Sequence, residues 1–209
     1  MTLENKLGIH SSPELAREEE KISKQRAMEI FSNDLLKEKP AGRFSTLAFI
    51  HSTLFSDIYD FAGKLREINI VKGNFRFAPI LYLSASLDAI DRMPQSTFDE
   101  IVEKYVEMNV AHPFREGNGR AGRIWLDHML KTELGLVIDW SKVDKEDYLL
   151  AMERSLIDDK KIKELLVNSL VSESGDQNLL LIGIDQSWNY EGFSFVNCTD
   201  MYEIKYKGF

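Results

Sequence analysis

The chain has 209 residues, enough for one domain with a substantial core and too few for two of full size. Hydrophobic residues at 44% and charged residues at 29% give the profile of a globular protein rather than a disordered one. Asp and Glu outnumber Lys and Arg 34 to 26, a net charge of -8, which argues against a general nucleic-acid binder that must present a basic face to phosphates. A local basic site for a small anionic ligand stays open. Cys198 is the single cysteine, so an intrachain disulfide and a Cys-rich zinc site are both excluded. Apolar runs fall short of the roughly 18 residues of a membrane span, and residues 1–10 lack a signal-peptide core, so the expected location is the cytoplasm, away from membranes.

Helical periodicity dominates. Ser12-Pro13-Glu14 has the pattern of a helix start, a capping residue with proline in the first turn, and the helix runs through Leu15, Ile22, Ile30 and Leu35. Lys39-Pro40-Ala41-Gly42 breaks it. The next segment sets Leu47, Ile50, His51, Leu54, Phe55 and Ile58 on one stripe of a second helix. The period then changes: residues 68–71 and 74–77 are short β-like runs around Lys72-Gly73, which predicts a small hairpin. Helices are expected over residues 83–93, from Ser96 or Thr97 onward with Phe98, Ile101, Val102, Tyr105 and Val106 buried, and from Asn118 to the C-terminal glycine Gly135. Two more cover residues 144–156 and 159–171, residues 172–176 read as a linker, and the tail from Asn178 is ambiguous between helix and strands. The expected fold is mostly α with one inserted β-hairpin. Its expected division is an N-terminal helical extension (1–43), a core (44–175) and a C-terminal segment (176–209), all in one compact domain.

The chemistry concentrates in His112-Pro113-Phe114-Arg115-Glu116-Gly117-Asn118-Gly119-Arg120-Ala121-Gly122-Arg123. Proline disfavours helix at the residue before it, so His112 should leave its helix and point into a loop. Gly117 and Gly119 let the backbone approach a ligand where the next helix begins, and a helix N-terminus offers unpaired N–H groups and the positive end of a dipole to an anion. Arg120 and Arg123 share one side of that helix and suit phosphates. Glu116 is a hard oxygen ligand of the kind Mg²⁺ takes beside phosphates, and a histidine near neutrality suits proton abstraction from a hydroxyl. A zinc site fails for want of further His or Cys ligands, and a Walker-type loop fails for want of Gly-Lys-Ser/Thr. His51 and His128, on helical stripes, read as hydrogen-bonded core histidines, Phe114 as a packing anchor, and Trp140 and Tyr148 as either adenosine-pocket or core residues.

HPFREGNGRAGR resembles, at every constrained position, the motif HxFx[D/E]GNGRxxR of Fic-domain proteins. The similarity extends through His51-Ser52-Thr53-Leu54-Phe55, Tyr59-Asp60-Phe61-Ala62-Gly63 and Arg66, and through the flap-like Lys72-Gly73-Asn74-Phe75, over roughly residues 40–170. Fic proteins are mostly adenylyltransferases that move AMP from ATP to a Ser, Thr or Tyr hydroxyl of a target protein. The resemblance implies a fold, a Fic-type helical bundle with a flap, and a role for each motif position. His112 would be the general base, and Glu116 would hold Mg²⁺, with Ca²⁺ or Mn²⁺ as further options. Gly117, Asn118 and Gly119 would form the anion hole, the Asn118 side chain also contacting phosphate. Arg120 would contact the phosphates and Arg123 the γ-phosphate. The flap would dock the target by strand addition, with Lys72 near the nucleotide.

The tail reads Ser187-Trp188-Asn189-Tyr190-Glu191-Gly192, which resembles the Fic inhibitory motif [S/T]xxxE[G/N] in the subclass that carries it at the C-terminus. The resemblance implies that Glu191 pairs with Arg123 and displaces the γ-phosphate, with Ser187 and Gly192 completing the motif. It also leaves open the reverse reaction, removal of AMP, together with self-modification and self-association. The alternatives are transfer of another group (UMP, phosphocholine or a phosphoryl group), an ATP-sensing interaction module, and a free-standing toxin.

Overall fold

The computed structural model describes residues 2–72 and 75–207. Nine α-helices lie among them: α1 (Ser12–Ser32), α2 (Phe44–Phe55), α3 (Ile80–Arg92), α4 (Phe98–Ala111), α5 (Asn118–Leu134), α6 (Lys145–Arg154), α7 (Lys160–Val167), α8 (Gln177–Asn189) and α9 (Cys198–Lys207). Two antiparallel ladders accompany them, β1 (Val71–Lys72) with β2 (Phe75–Arg76), and β3 (Leu136–Ile138) with β4 (Leu170–Ser172). Helix α5 is the axis of the bundle and packs against α2, α4, α8 and β3. Its Ala121, Trp125, Leu126, Met129 and Leu130 are fully buried, and Trp125 donates its indole N–H to the Arg43 carbonyl at 3.1 Å. One continuous hydrophobic cluster runs from Leu15 in α1 to Cys198 in α9, so both ends of the chain share the core of the middle.

Local chemistry accounts for the boundaries that position the site. Thr97 and Glu100 close a capping box on α4: the Thr97 hydroxyl accepts from Glu100 N at 3.3 Å, and the Glu100 carboxylate accepts from Thr97 N at 3.0 Å. Pro113 forbids continuation of α4, and His112 caps it in the left-handed region at φ 47°. Gly135 ends α5 at φ 67°, a conformation that glycine adopts at little cost.

The structure departs from the expected elements in three places and resolves a fourth. The cap of α1 is Ser11, not Ser12, and its side chain makes no capping bond, which leaves Pro13 as the start signal. In the hairpin, Lys72 pairs with Phe75 and Val71 with Arg76, so Lys72 belongs to the ladder instead of the turn; Gly73 and Asn74 lie outside the described residues. Residues 170–172 form a strand instead of ending a helix, and the β3–β4 ladder was not expected. Pairing between segments more than 30 positions apart leaves no local periodicity to read. The ambiguous tail is helical, as α8 and α9.

Candidate active site

The loop from His112 to Gly117 connects α4 to α5, and hydrogen bonds to main-chain groups hold it. The buried Arg66 guanidinium donates to the main-chain carbonyls of His112 at 2.7 Å, Ile68 at 2.6 Å, Ala111 at 3.2 Å and Ala78. Its own N–H reaches the Pro113 carbonyl at 2.9 Å. One side chain thus ties the end of α4, the base of the hairpin and the loop together, and burial lowers its pKa. The His112 ring stacks on Phe77 with centroids 3.6 Å apart, which links it directly to the chain leaving β2. On the far side of the loop, His51 Nε2–H donates to the Glu116 carbonyl at 2.8 Å and Nδ1 accepts from Gly63 N at 2.9 Å, which fixes a neutral tautomer. Burial and the nearby Arg120 charge lower its pKa to about 4. Its ring stacks on Phe114, centroids 3.8 Å apart. A Cβ on Gly117, at φ 78°, would meet the Phe55 ring at 2.5 Å.

Charged groups hold the start of α5. Arg120 is fully buried against the rings of Phe55, Trp188 and Phe193. Three carboxylates surround it: Glu19 at 2.7 Å from Nη1, Glu191 at 2.7 Å from Nε, and Glu116 at 3.5 Å from Nη2. Arg123 is occupied by the tail. Its Nε donates to the Ser187 hydroxyl at 2.6 Å, and its Nη2 to the Ser187 carbonyl at 2.6 Å and to Glu191 Oε1 at 2.9 Å. Gly119 makes room for this arrangement, since a Cβ there would overlap Glu191 Oε1 and stand 2.9 Å from Arg123 Nη1. Gly192 turns the chain at φ 90°, a conformation that explains glycine at the last position of the tail motif.

Of the predicted site residues, the structure brings His112, Glu116, Gly117, Gly119, Arg120 and Arg123 to one end of α5, with Ser187 and Glu191 against them and Gly192 next in the chain. Two expectations need correction. The Asn118 side chain is not directed at a phosphate: its Oδ1 accepts from Phe114 N and its Nδ2 donates to Phe114 O, both at 2.8 Å, so it clasps the loop. Arg120 is not a phosphate-facing group either, because its guanidinium is spent on carboxylates in the interior. Glu191 bridges both arginines instead of Arg123 alone. The Lys72 side chain lies outside the described residues. Tyr148 and Trp140 are core residues, the Tyr148 hydroxyl meeting that of Tyr105 at 2.5 Å. Sequence reasoning missed Glu19, whose Glu18-Glu19-Glu20 run reads as a solvated face, and gave no role to Arg66.

Glu116 keeps 46% side-chain exposure, and its Oε1 accepts from Gly117 N at 3.1 Å. Partial burial and the Glu191 and Glu19 charges hold its carboxyl above the usual value, against the pull of Arg120 and Gly117 N–H. Among the described residues no group of three His, Cys, Asp or Glu stands ready to enclose a metal ion. A single half-exposed carboxylate fits an ion that takes its other ligands from substrate phosphates and water, the habit of Mg²⁺. No helix among the described residues is long and apolar enough to cross a membrane.

The profile of the Fic/DOC family matches residues 43–130. The chain is 31% identical to the probable protein adenylyltransferase y4lH of Sinorhizobium fredii, over 75% of this chain and 84% of that protein. It is 30% identical to the protein adenylyltransferase VbhT of Bartonella schoenbuchensis, over 91% of this chain but 44% of VbhT, so it spans less than half of that relative. In fold it is similar to the crystal structure of the BepC protein of Bartonella tribocorum with bound AMPPNP: TM-score 0.69, 20% identity, 83% of this chain and 94% of that one. The chain belongs to the Fic/DOC family, among relatives named as protein adenylyltransferases.

Proposed function

We propose that this protein is a self-inhibited protein adenylyltransferase that transfers AMP from ATP to a hydroxyl of a target protein. The observation that carries the self-inhibition is the occupation of Arg123 by Ser187 and Glu191, with Glu191 reaching Arg120 as well. A guanidinium near the start of α5 is the natural partner of a terminal phosphate, and here a carboxylate from the same chain holds it. In the active arrangement, His112 takes the proton of the target hydroxyl as its oxygen attacks the α-phosphorus. The bond from the α-phosphorus to the bridging oxygen breaks, and pyrophosphate leaves. The unpaired N–H groups at the start of α5 face the phosphates, and Arg123, once released, holds the γ-phosphate. Glu116 would hold Mg²⁺, which would supply charge neutralisation to the substrate phosphates. Positioning and charge supply most of the barrier reduction in such an in-line transfer, and the hairpin beside His112 offers a target the backbone of an edge strand.

Removal of AMP is a second reading, favoured by Glu191 and Glu116 meeting on one guanidinium. Glu191 would accept a proton from water that attacks the phosphorus of the modified side chain, and the target oxygen would leave with a proton from His112.

The test is the intact mass of Glu191→Gly after incubation with ATP and Mg²⁺, alone and with a cell lysate, with His112→Ala in the same background as control. Mass gain of one AMP, absent in the control, is expected. Gain of one phosphoryl group would mean a reversed nucleotide. Absence of modification despite ATP binding would favour a nucleotide-sensing module. Glu191→Gln with intact AMP removal would sink the second reading.

A further inference from the structure

The segment that carries Glu191 is stitched to α1 by buried charges. Lys24 is 1% exposed, and its ammonium contacts three partners: Glu20 at 2.9 Å, Asp185 of α8 at 2.7 Å and the Val196 carbonyl at 2.5 Å. The fully buried Glu20 carboxylate accepts from the main-chain N–H of Phe195 at 2.8 Å and of Val196 at 3.2 Å. Asp185 also accepts from Cys198 N at 3.1 Å, joining α8 to the start of α9. Next to Lys24 in α1, the Ser23 hydroxyl accepts from the Trp188 indole at 2.8 Å. Contacts with α1 therefore fix the chain on both flanks of Glu191, at Asp185 and Trp188 before it and at Phe195 and Val196 after it.

The same turn of α1 also holds what Glu191 engages, since Glu19 binds Arg120 at 2.7 Å and accepts the Tyr59 hydroxyl. A buried triad of two carboxylates and one ammonium contributes little net stability over apolar side chains of similar volume, because desolvation offsets the Coulomb gain. What it does supply is register. The N–H groups of Phe195 and Val196 and the Val196 carbonyl each have a charged partner that a shifted chain would abandon, at the cost of a less well matched buried charge.

We infer that Lys24, with Glu20 and Asp185, is a positioning residue for Glu191: the brake is set from α1, and its strength is that of this stitch as well as of the Glu191–arginine pairs. The inference rests on the self-inhibition proposed above. Nucleotide phosphates can regain Arg123 when residues 188–196 move, and the stitch opposes that movement.

The experiment uses the full chain with Lys24→Met, and with Asp185→Asn as the milder variant that keeps the Glu20–Lys24 pair. Each is made with and without Glu191→Gly. Rates of AMP incorporation with ATP and Mg²⁺ are read by intact mass, and amide hydrogen exchange is followed over residues 177–200 and over α2, α4 and α5. Expected are a rate gain of about tenfold for Lys24→Met and a smaller one for Asp185→Asn, read at subsaturating ATP as a rise in kcat/KM, since Glu191 and the nucleotide compete for Arg123. Exchange should quicken in the tail while the core helices keep their protection, and the rate gains should vanish in the Glu191→Gly background. The inference is overturned if the gains persist at equal size without Glu191, if tail exchange is unchanged, or if core protection falls together with that of the tail. Should Glu191→Gly itself incorporate no AMP, the proposed function fails, and hydrogen exchange still decides whether α1 sets the position of the tail.

Discussion

The two ends of the site are held by different physics. At His112 the supports are main-chain hydrogen bonds from Arg66, the neutral His51 and stacked rings. Eight and eleven residues on in the motif, the supports are two arginines, held by three carboxylates with Glu191 shared between both guanidiniums. The Arg66 guanidinium is buried with main-chain carbonyls as its partners, out of reach of a ligand, so the base end keeps its contacts whatever occupies the site. Ion pairs can be exchanged. A polyphosphate carries more negative charge than one carboxylate and on the proposed reading takes Arg123 from Glu191, so the arginine end is where occupancy and inhibition compete. A switch therefore belongs at the charged end, and a positioned base at the neutral one.

The largest expected effect breaks the charged end. Glu191→Gln keeps the shape of the side chain and removes the counter-charge shared by two buried guanidiniums. It should lower unfolding free energy by about 2–3 kcal/mol, below the full cost of orphaning a buried ion because Glu191 keeps 18% side-chain exposure. ATP should then raise Tm more in the variant than in the wild type, since it no longer displaces a resident carboxylate. Equal ATP shifts in thermal melts of both proteins would show that Glu191 and nucleotide do not compete. Arg66→Lys probes the neutral end. Lysine cannot span the carbonyls of Ile68, Ala78, Ala111 and His112 at once, so His112 loses its fixed position. In the Glu191→Gly background kcat should fall about 100-fold with ATP affinity unchanged, the effect of a small misplacement at the reacting centre. Loss of ATP affinity with kcat retained would place Arg66 on the wrong side of the comparison.

The difference between the two ends also governs how much the sequence discloses. The loop is dense in signals with local causes: Pro113 ends a helix, Gly117 takes a positive φ against Phe55, and the residues from His112 to Arg123 are adjacent in the chain. Its chemistry is legible without coordinates. The tail motif is legible too, because Gly192 must turn the chain just after the carboxylate. What stayed hidden are the partners that meet from far apart, Glu19 with Arg120 across 101 positions and Lys24 with Val196 across 172. Their residues carry the composition of a solvated helix face, and nothing local marks Glu19, Glu20 and Lys24 as buried. Asn118 misled for the opposite reason. Its place in the motif suggested a phosphate contact, whereas its amide satisfies both backbone groups of Phe114 four residues earlier. The β3–β4 ladder was missed because Leu170 and Val171 extend the apolar run of α7.

The smallest expected effect tests whether the neutral end is neutral. His51 is depressed to about 4 in the fold because burial and the nearby Arg120 charge disfavour the imidazolium, against the pull of its bond to Glu116 O, and a proton on Nδ1 would break the bond from Gly63 N. In the unfolded chain its value returns to about 6.5. Between these values the unfolded state binds one more proton than the folded one, so stability rises with pH and is lost as the solution is acidified through that window. Gln in place of His51 offers one donor and one acceptor and does not titrate. Relative to His51→Gln, the wild type should lose about 1.4 kcal/mol between pH 7.5 and pH 5.5, read by urea denaturation at each pH. Asp127, raised to about 7 by burial, changes stability in the opposite sense over the same range, which is why the comparison is made against the variant and not against pH alone. A flat difference across that range would mean that His51 takes up its proton as readily in the fold as in the unfolded chain. The loop would then lose a neutral support on acidification, and acid as well as nucleotide would shift the base.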